Sequence, residues 1–226
     1  MTGLVRRSPL SAVYRSTNAS IIETAGWEIA EHFGDAVAER RGLETGSVLV
    51  DWSHIGKISL RGPGAEENAA RIASTDPLPA PPGALGIANG ISGVLLRLAA
   101  DEFLILCGPG EEHALLIGLD RTRTAVLDQT GGYGALLLAG PRRNEVLERS
   151  TAIDLRAGPA AGGSIVQTSV HFVPCTIHSA PNRNILIQSR DYTESLHLAL
   201  LDVGRPVGLV PAGIGCVPVE FGGAGG

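Results

Sequence analysis

Residues 48–72 read VLVDWSHIGKISLRGPGAEENAARI, and residues 126–149 read VLDQTGGYGALLLAGPRRNEVLER. Both stretches run in one order: an apolar strand ending in Asp, a short polar turn with glycine, a second apolar strand, Gly-Pro and an amphipathic helix. Glycine permits a sharp exit from a strand, and the proline after it presets φ for a first helical turn. Because the whole order occurs twice, the sequence predicts an internal repeat.

This repeat predicts an α+β fold in which helices pack on one face of mostly antiparallel sheet. Further strands are predicted at 18–24, 91–98, 103–107, 164–170, 172–178 and 185–189, and further helices at 35–43, 110–118 and 191–203. We divide the chain into a first lobe over 1–73, a Pro-rich connection over 74–86, a second lobe over 87–216 and a flexible tail over 217–226.

The composition describes a charge-poor chain of 226 residues with a net charge of −5 and 18% charged residues. A typical soluble domain has roughly 25% charged residues. The sequence has no basic stripe, which argues against a nucleic-acid partner. No stretch approaches the ~20 apolar residues of a membrane span, and the N-terminus lacks the apolar run of a secretory signal. We therefore expect a cytoplasmic protein with no membrane partner.

The run Asp51-Trp52-Ser53-His54 is the first candidate site. On a strand, Asp51 and Ser53 share one face and the other two residues share the opposite face, so the run forms no Ser-His-Asp triad by itself. Two interpretations stay open. Either this is a strand end whose polar side chains cap the following turn, or Asp51 or His54 lines a pocket as a general acid or base.

Two other polar features favour structural interpretations. Lys57 is the single lysine of the chain, and nothing around it predicts a lowered pKa, so we expect a surface position on a strand. The run Gly131–Gly134 lacks the frame of a phosphate-binding loop and precedes a strand, which indicates a hairpin turn.

Cysteine, acidic and histidine residues add no further site. Cys107 and Cys175 lie in apolar surroundings typical of core thiols. The acidic pairs 66–67 and 111–112 are interpreted as solvated helix faces, because adjacent helical residues point apart. The spacing of the histidines matches no metal motif, so no metal is expected.

Five segments resemble glycine-cleavage T-proteins, the aminomethyltransferases, in the same order along the chain. They are TAGWEIAEHFGD (24–35), VDWSHIGKISLRGP (50–63), LRLAADEFLILCGPG (96–110), ALLLAGPRRNEVLE (135–148) and VGLVPAGIG (207–215). The resemblance implies a folate-binding core of repeated antiparallel sheet-plus-helix, ferredoxin-like units, without the family's C-terminal barrel domain. It implies tetrahydrofolate as the cofactor to test. On this basis the candidate catalytic residues are Asp51, His54 and Tyr133, and the candidate cofactor-binding residues are Trp27, Ser53 and Asn89.

The chain departs from the T-protein pattern at the positions of three folate ligands. Ile91 and Ser92 stand where the family has an acidic pair, residues 178–188 lack the family's acidic loop, and Cys216 begins the segment where an arginine is expected. Such a site is expected to bind folate weakly, because buried polar groups of the ligand would stay unpaired.

The chain also resembles the gamma subunit of heterotetrameric sarcosine oxidase, in its length, its DEFLIL strand and its compressed second half. Two functions follow. The first is an accessory or binding subunit of one-carbon metabolism that docks on flavin oxidoreductase subunits or self-associates. The alternative is a tetrahydrofolate-dependent aminomethyl or methyl transferase, or a repurposed enzyme that uses the former folate cavity.

Overall fold

A computed structural model describes residues 4–73, 78, 80–87, 91–153, 164–217 and 221. The strands are β1 (Arg6–Arg7), β2 (Ser20–Thr24), β3 (Trp27–His32), β4 (Ser47–Asp51), β5 (Gly56–Arg61), β6 (Gly83–Gly86), β7 (Gly93–Ala99), β8 (Glu102–Cys107), β9 (Ala125–Asp128), β10 (Tyr133–Ala139), β11 (Ser164–Val170), β12 (Val173–Ala180), β13 (Arg183–Ser189) and β14 (Leu209–Ala212). The helices are α1 (Ser11–Ser16), α2 (Ala36–Thr45), α3 (Ala65–Ala73), α4 (Glu112–Ile117), α5 (Arg143–Glu148) and α6 (Thr193–Gly204). None of the helices in these ranges is long and apolar enough to cross a membrane.

Most strands belong to two large sheets. One has the order β11-β12-β13-β10-β4-β14 and the other the order β6-β7-β8-β5-β9, while β1, β3 and β2 form a small third sheet. Neighbouring strands in the large sheets run antiparallel, except that β14 runs parallel to β4. The predicted mixture of helices with mostly antiparallel sheet is confirmed.

The core consists of three clusters of apolar side chains. The two large sheets pack against each other through residues such as Val50 of β4 and Leu106 of β8. The outer face of the six-stranded sheet packs on α1, α5 and α6, and the outer face of the five-stranded sheet packs on α3 and α4. The secondary structure is therefore stacked in the order helix, sheet, sheet, helix. Both faces of each large sheet are largely covered by other elements.

The two repeats exchange strands between the large sheets. The first repeat places β4 in the six-stranded sheet and β5 in the five-stranded sheet, whereas the second places β9 in the five-stranded sheet and β10 in the six-stranded sheet. As a result β4 pairs with β10 and β5 pairs with β9. The predicted hairpin turn at Gly131–Gly134 is therefore wrong: the strands on its two sides lie in different sheets.

Each Gly-Pro pair starts a helix, as the sequence predicts. Gly62 and Gly140 have φ of 116° and 103°, a region that strongly favours glycine. The proline after each glycine then leads into α3 or α5. The repeat is thus visible in backbone conformation as well as in the order of strands.

The predicted strands and helices are found with end shifts of a few residues. Residues 74–77 and 79 of the Pro-rich connection, and residues 218–220 and 222–226 of the predicted tail, lie outside the described residues.

Cys107 and Cys175 are buried, and burial raises the pKa of each thiol to about 12, so the core interpretation is confirmed. The interpretation of Glu112 as a solvated residue is wrong, because its side chain is buried against Gly56 of β5.

Candidate functional site

Asp51 ends β4 and anchors a closed set of hydrogen bonds. Its carboxylate accepts hydrogen bonds from the hydroxyl of Ser8, from the Tyr14 hydroxyl at 2.5 Å and from the backbone N–H of Ser53 at 2.8 Å. Only 3% of Asp51 is exposed. The last of these bonds caps the turn after β4, which agrees with the strand-end interpretation.

Tyr14 reaches this carboxylate from α1, which packs on the outer face of the six-stranded sheet. Burial and the nearby Asp51 charge raise the pKa of Tyr14 well above its ordinary value. The phenol therefore stays protonated at neutral pH and remains a donor to the carboxylate. Sequence reasoning missed both Ser8 and Tyr14, because no motif links these residues to β4.

Two buried histidines interact electrostatically with the Asp51 carboxylate. His54 follows β4, and His197 lies on α6, and each is 1% exposed. Burial lowers the pKa of each imidazole to about 4, although the Asp51 carboxylate opposes this shift. Both rings are therefore neutral near pH 7. Among the described residues, His197 has no hydrogen-bond partner at either ring nitrogen, and His54 has none at Nδ1.

Lys57 contradicts its predicted surface position. Its side chain is fully buried, and its ammonium nitrogen donates to the backbone carbonyls of Ser53 at 3.0 Å and Ile55 at 2.7 Å. Burial lowers the pKa of the amine to about 7, although Asp51 and Glu112 oppose the shift. The inner face of β5 is covered by the six-stranded sheet, and this exchange of strands is what hides Lys57 from solvent.

Ser53 contacts the backbone of β10. It is fully buried, and its hydroxyl oxygen accepts a hydrogen bond from the backbone N–H of Ala135 at 3.2 Å. The structure therefore brings Asp51, Ser53 and His54 together between β4 and β5, in an interior position.

Tyr133 lies elsewhere, in a cleft between the two large sheets with a volume of about 430 Å³. The side chains around it include Ser59, Glu102, Gln167 and Tyr192. Asp51, Ser53 and His54 do not line this cleft. Of the three candidate catalytic residues, Tyr133 alone therefore lines this cleft.

Trp27 is enclosed by arginines. It lies on β3 with 2% of its surface exposed, and the guanidinium carbons of Arg6 and Arg190 lie 5.6 and 6.0 Å from its ring centroid. Such contacts stabilise a guanidinium by electrostatic attraction to the ring face. Asn89 lies outside the described residues.

The turn between β12 and β13, where the T-protein pattern has its acidic loop, lines a second cavity. This cavity has a volume of about 400 Å³ and is bordered by Arg143, Pro181, Asn182, Arg183 and Val217. None of the described residues that line it is acidic. No group of three or more metal-binding side chains occurs in the described part of the chain.

The family comparison matches residues 10–220 to the GCVT N-terminal domain. The chain belongs to this family. The GCVT-family chain is 22% identical to the aminomethyltransferase of Halothermothrix orenii over 93% of its own length and 63% of the relative. It is 30% identical to the probable aminomethyltransferase of Haloarcula marismortui over 68% of its own length and 47% of the relative. The chain therefore spans less than two thirds of the length of these relatives.

Solved structures show the same fold. The aminomethyltransferase T of the glycine cleavage system from Bartonella henselae superposes with a TM-score of 0.75 at 19% identity, over 94% of this chain and 60% of the other. A chain of heterotetrameric sarcosine oxidase from Corynebacterium sp. U-96 superposes with a TM-score of 0.62 at 21% identity, over 91% of this chain and 97% of the other. The GCVT-family fold is thus found in a chain of similar extent within a multi-subunit oxidase.

Proposed function

We propose that this GCVT-family protein is an accessory or binding subunit in one-carbon metabolism, cytoplasmic and with a degenerate folate site. The observation that supports this most directly is the closed network at Asp51. Only 3% of Asp51 is exposed, and its carboxylate already accepts hydrogen bonds from Ser8, Tyr14 and Ser53. A carboxylate in this state holds the turn after β4 and has no free contact with a substrate.

The partner under this proposal is a flavin oxidoreductase subunit, or a second copy of the chain. The size and fold of the sarcosine oxidase chain support the first choice. A surface feature also supports docking: Phe172, at the tip of the β11–β12 turn, is 99% exposed. Aromatic side chains, phenylalanine included, are enriched at protein interfaces relative to the rest of the surface.

A second candidate function is tetrahydrofolate-dependent aminomethyl or methyl transfer, or a repurposed enzyme in the same cavity. It is supported by the names of the curated relatives. In this case folate would supply the one-carbon carrier, and the residues around the β12–β13 turn would have to hold it. Arg143 and Arg183 there suit an anionic group, whereas no described lining residue offers a carboxylate to a pterin.

Two measurements separate these functions. Affinity purification from the native source is expected to yield a complex with flavin absorbance, and recovery of a single free chain would contradict the accessory role. Calorimetric titration with tetrahydrofolate and its methyl form tests the second function. Absence of both heat and thermal shift at millimolar ligand would exclude the transferase, whereas tight binding would favour it.

A further inference from the structure

The cleft between the two large sheets is a separate place for a ligand. Its walls come from rigid elements of both sheets, β5, β7 and β8 on one side and β10 to β13 on the other. Its volume of about 430 Å³ lies within the roughly 300–1,000 Å³ of typical small-molecule sites. It does not share lining residues with the cavity at the β12–β13 turn.

Four polar side chains of this cleft are free to bind. The hydroxyls of Ser59, Tyr133 and Tyr192 and the amide of Gln167 make no side-chain hydrogen bond within the described part of the chain. These groups alternate with apolar walls such as Leu104 and Ile187. Apolar walls with a few polar groups that fix orientation are the usual composition of a small-molecule site.

The charge of the cleft is one-sided. Glu102 carries the single carboxylate among its lining residues, which include no Lys, Arg or His in the part of the chain that is described. Its carboxylate forms an ion pair with Arg61, whose side chain is 67% exposed. The Arg61 guanidinium thus already occupies the rim of the cleft. Exposed ion pairs of this kind contribute only about 0–1 kcal/mol, so another cation can replace Arg61.

We propose that this cleft binds a small organic ammonium ion, which displaces Arg61 from Glu102 and contacts Tyr133 and Tyr192. The carboxylate supplies the opposite charge, and the two phenol rings attract a cation through their π faces. Anions are disfavoured because no cationic side chain lines the cleft and Arg61, at its rim, is already paired with Glu102. The site is independent of the docking role, since Phe172 is not among its lining residues.

The test uses choline and its neutral carbon isostere, dimethylbutanol, which has the same shape without the charge. Calorimetry of the full chain at low ionic strength is expected to detect choline and to detect dimethylbutanol at least about tenfold more weakly. Equal binding of the two probes, or no choline binding, would overturn the proposal.

Two opposite variants exclude an indirect effect of unfolding. Glu102→Gln is expected to weaken choline binding about tenfold, because the shape is kept and the charge is lost. Arg61→Gln is expected to strengthen it several-fold, because the competing cation is removed. The control Glu67→Gln, on the exposed face of α3, is expected to leave binding unchanged. A gain on Arg61→Gln cannot come from damage to the fold, and loss of choline binding in that variant would contradict the proposal.

Discussion

Ser53 and Thr130 occupy equivalent positions in the two repeats, and each hydroxyl accepts a hydrogen bond from a backbone amide of the opposite repeat. Ser53 Oγ accepts from Ala135 N at 3.2 Å, and Thr130 Oγ1 accepts from Lys57 N at 3.0 Å. Lys57 and Ala135 are themselves equivalent, since both lie five residues before the glycine of a Gly-Pro pair. Each repeat therefore donates one backbone N–H to a hydroxyl of the other repeat, and these two equivalent hydrogen bonds hold the exchanged strands together.

The Thr130 contact is testable by removing only the hydroxyl. Thr130→Val keeps the shape but leaves the buried amide of Lys57 without its acceptor, so the free energy of unfolding is expected to fall by about 1–3 kcal/mol. Thr130→Ser retains the acceptor and serves as the control. Chemical denaturation measures both. Equal stability of the valine and serine variants would show that this hydrogen bond contributes nothing.

The same repeat supplies a matched pair of aspartates. Asp51 and Asp128 each accept from the backbone N–H two residues later, at 2.8 and 2.9 Å. Asp51 is buried and has two further donors, whereas Asp128 is exposed. Asp51→Asn is expected to lower the free energy of unfolding by about 3 kcal/mol, because a buried acceptor set is broken. Asp128→Asn is expected to cost less than about 1 kcal/mol. Similar losses for the two variants would contradict the closed network.

The buried histidines predict acid sensitivity. His54 and His197 have folded-state pKa values of about 4, below the ordinary value of 6.5. The unfolded chain therefore binds more protons between these pH values, so stability falls as pH decreases from 6.5 to 4. Each histidine contributes on the order of 3 kcal/mol to this loss.

Urea denaturation at several pH values measures this effect. His197→Leu is expected to reduce the slope between pH 4 and 6.5, whereas His113→Gln, at an exposed position on α4, is expected to leave it unchanged. A His197→Leu slope equal to that of the native chain would sink the assignment of acid sensitivity to this ring.

The burial of Lys57 is testable by chemical labelling, because this is the only lysine of the chain. Its amine, with a pKa of about 7, is a good nucleophile near neutral pH, so slow labelling reports inaccessibility and not protonation. An amine-reactive ester is expected to modify the native protein at the α-amine alone, and Lys57 only in urea. Mass spectrometry of peptides distinguishes the two. Equally fast labelling of native Lys57 would contradict its position.

A two-residue turn joins β11 to β12 through residues with unfavourable backbone angles. His171 and Phe172 have φ of 47° and 66°, a left-handed conformation that costs a non-glycine residue roughly 1–2 kcal/mol. Phe172→Gly is expected to raise the free energy of unfolding by about 1 kcal/mol, because the exposed ring has no packing to lose. Phe172→Ala keeps the Cβ and is expected to give no gain. A gain with alanine would indicate that removal of the ring matters and the backbone does not.

The sequence predicted the repeat, its Gly-Pro helix starts and most strands, because these depend on local residue patterns such as Gly140-Pro141. It did not predict which sheet each strand joins. Strand pairing depends on residues far apart in the sequence. Because β10 is apolar on both faces, the alternation of its residues does not indicate which face packs on which sheet. The errors at Lys57 and Glu112 follow from this, since both residues are covered by elements whose placement only the strand exchange determines.

The candidate site was predicted in part. The sequence located the polar run at Asp51, but its partners Ser8 and Tyr14, and the nearby His197, come from distant segments without a motif. Residue type alone also left two environments open for Asp51, a pocket wall and a capped turn. Only tertiary contacts distinguish these two environments, because the contacts determine whether the carboxylate accepts hydrogen bonds from solvent or from the chain.

The exchange of β4 and β9 gives the molecule the topology of a strand-swapped dimer fused into one polypeptide. The five-stranded sheet takes β9 from the second repeat, and the six-stranded sheet takes β4 from the first repeat. Neither half of the chain is therefore expected to form a stable domain when expressed alone. The two halves should instead reconstitute the fold when mixed as separate fragments. Unfolding should accordingly be a single cooperative event, and folding should wait for contacts between segments far apart in the chain.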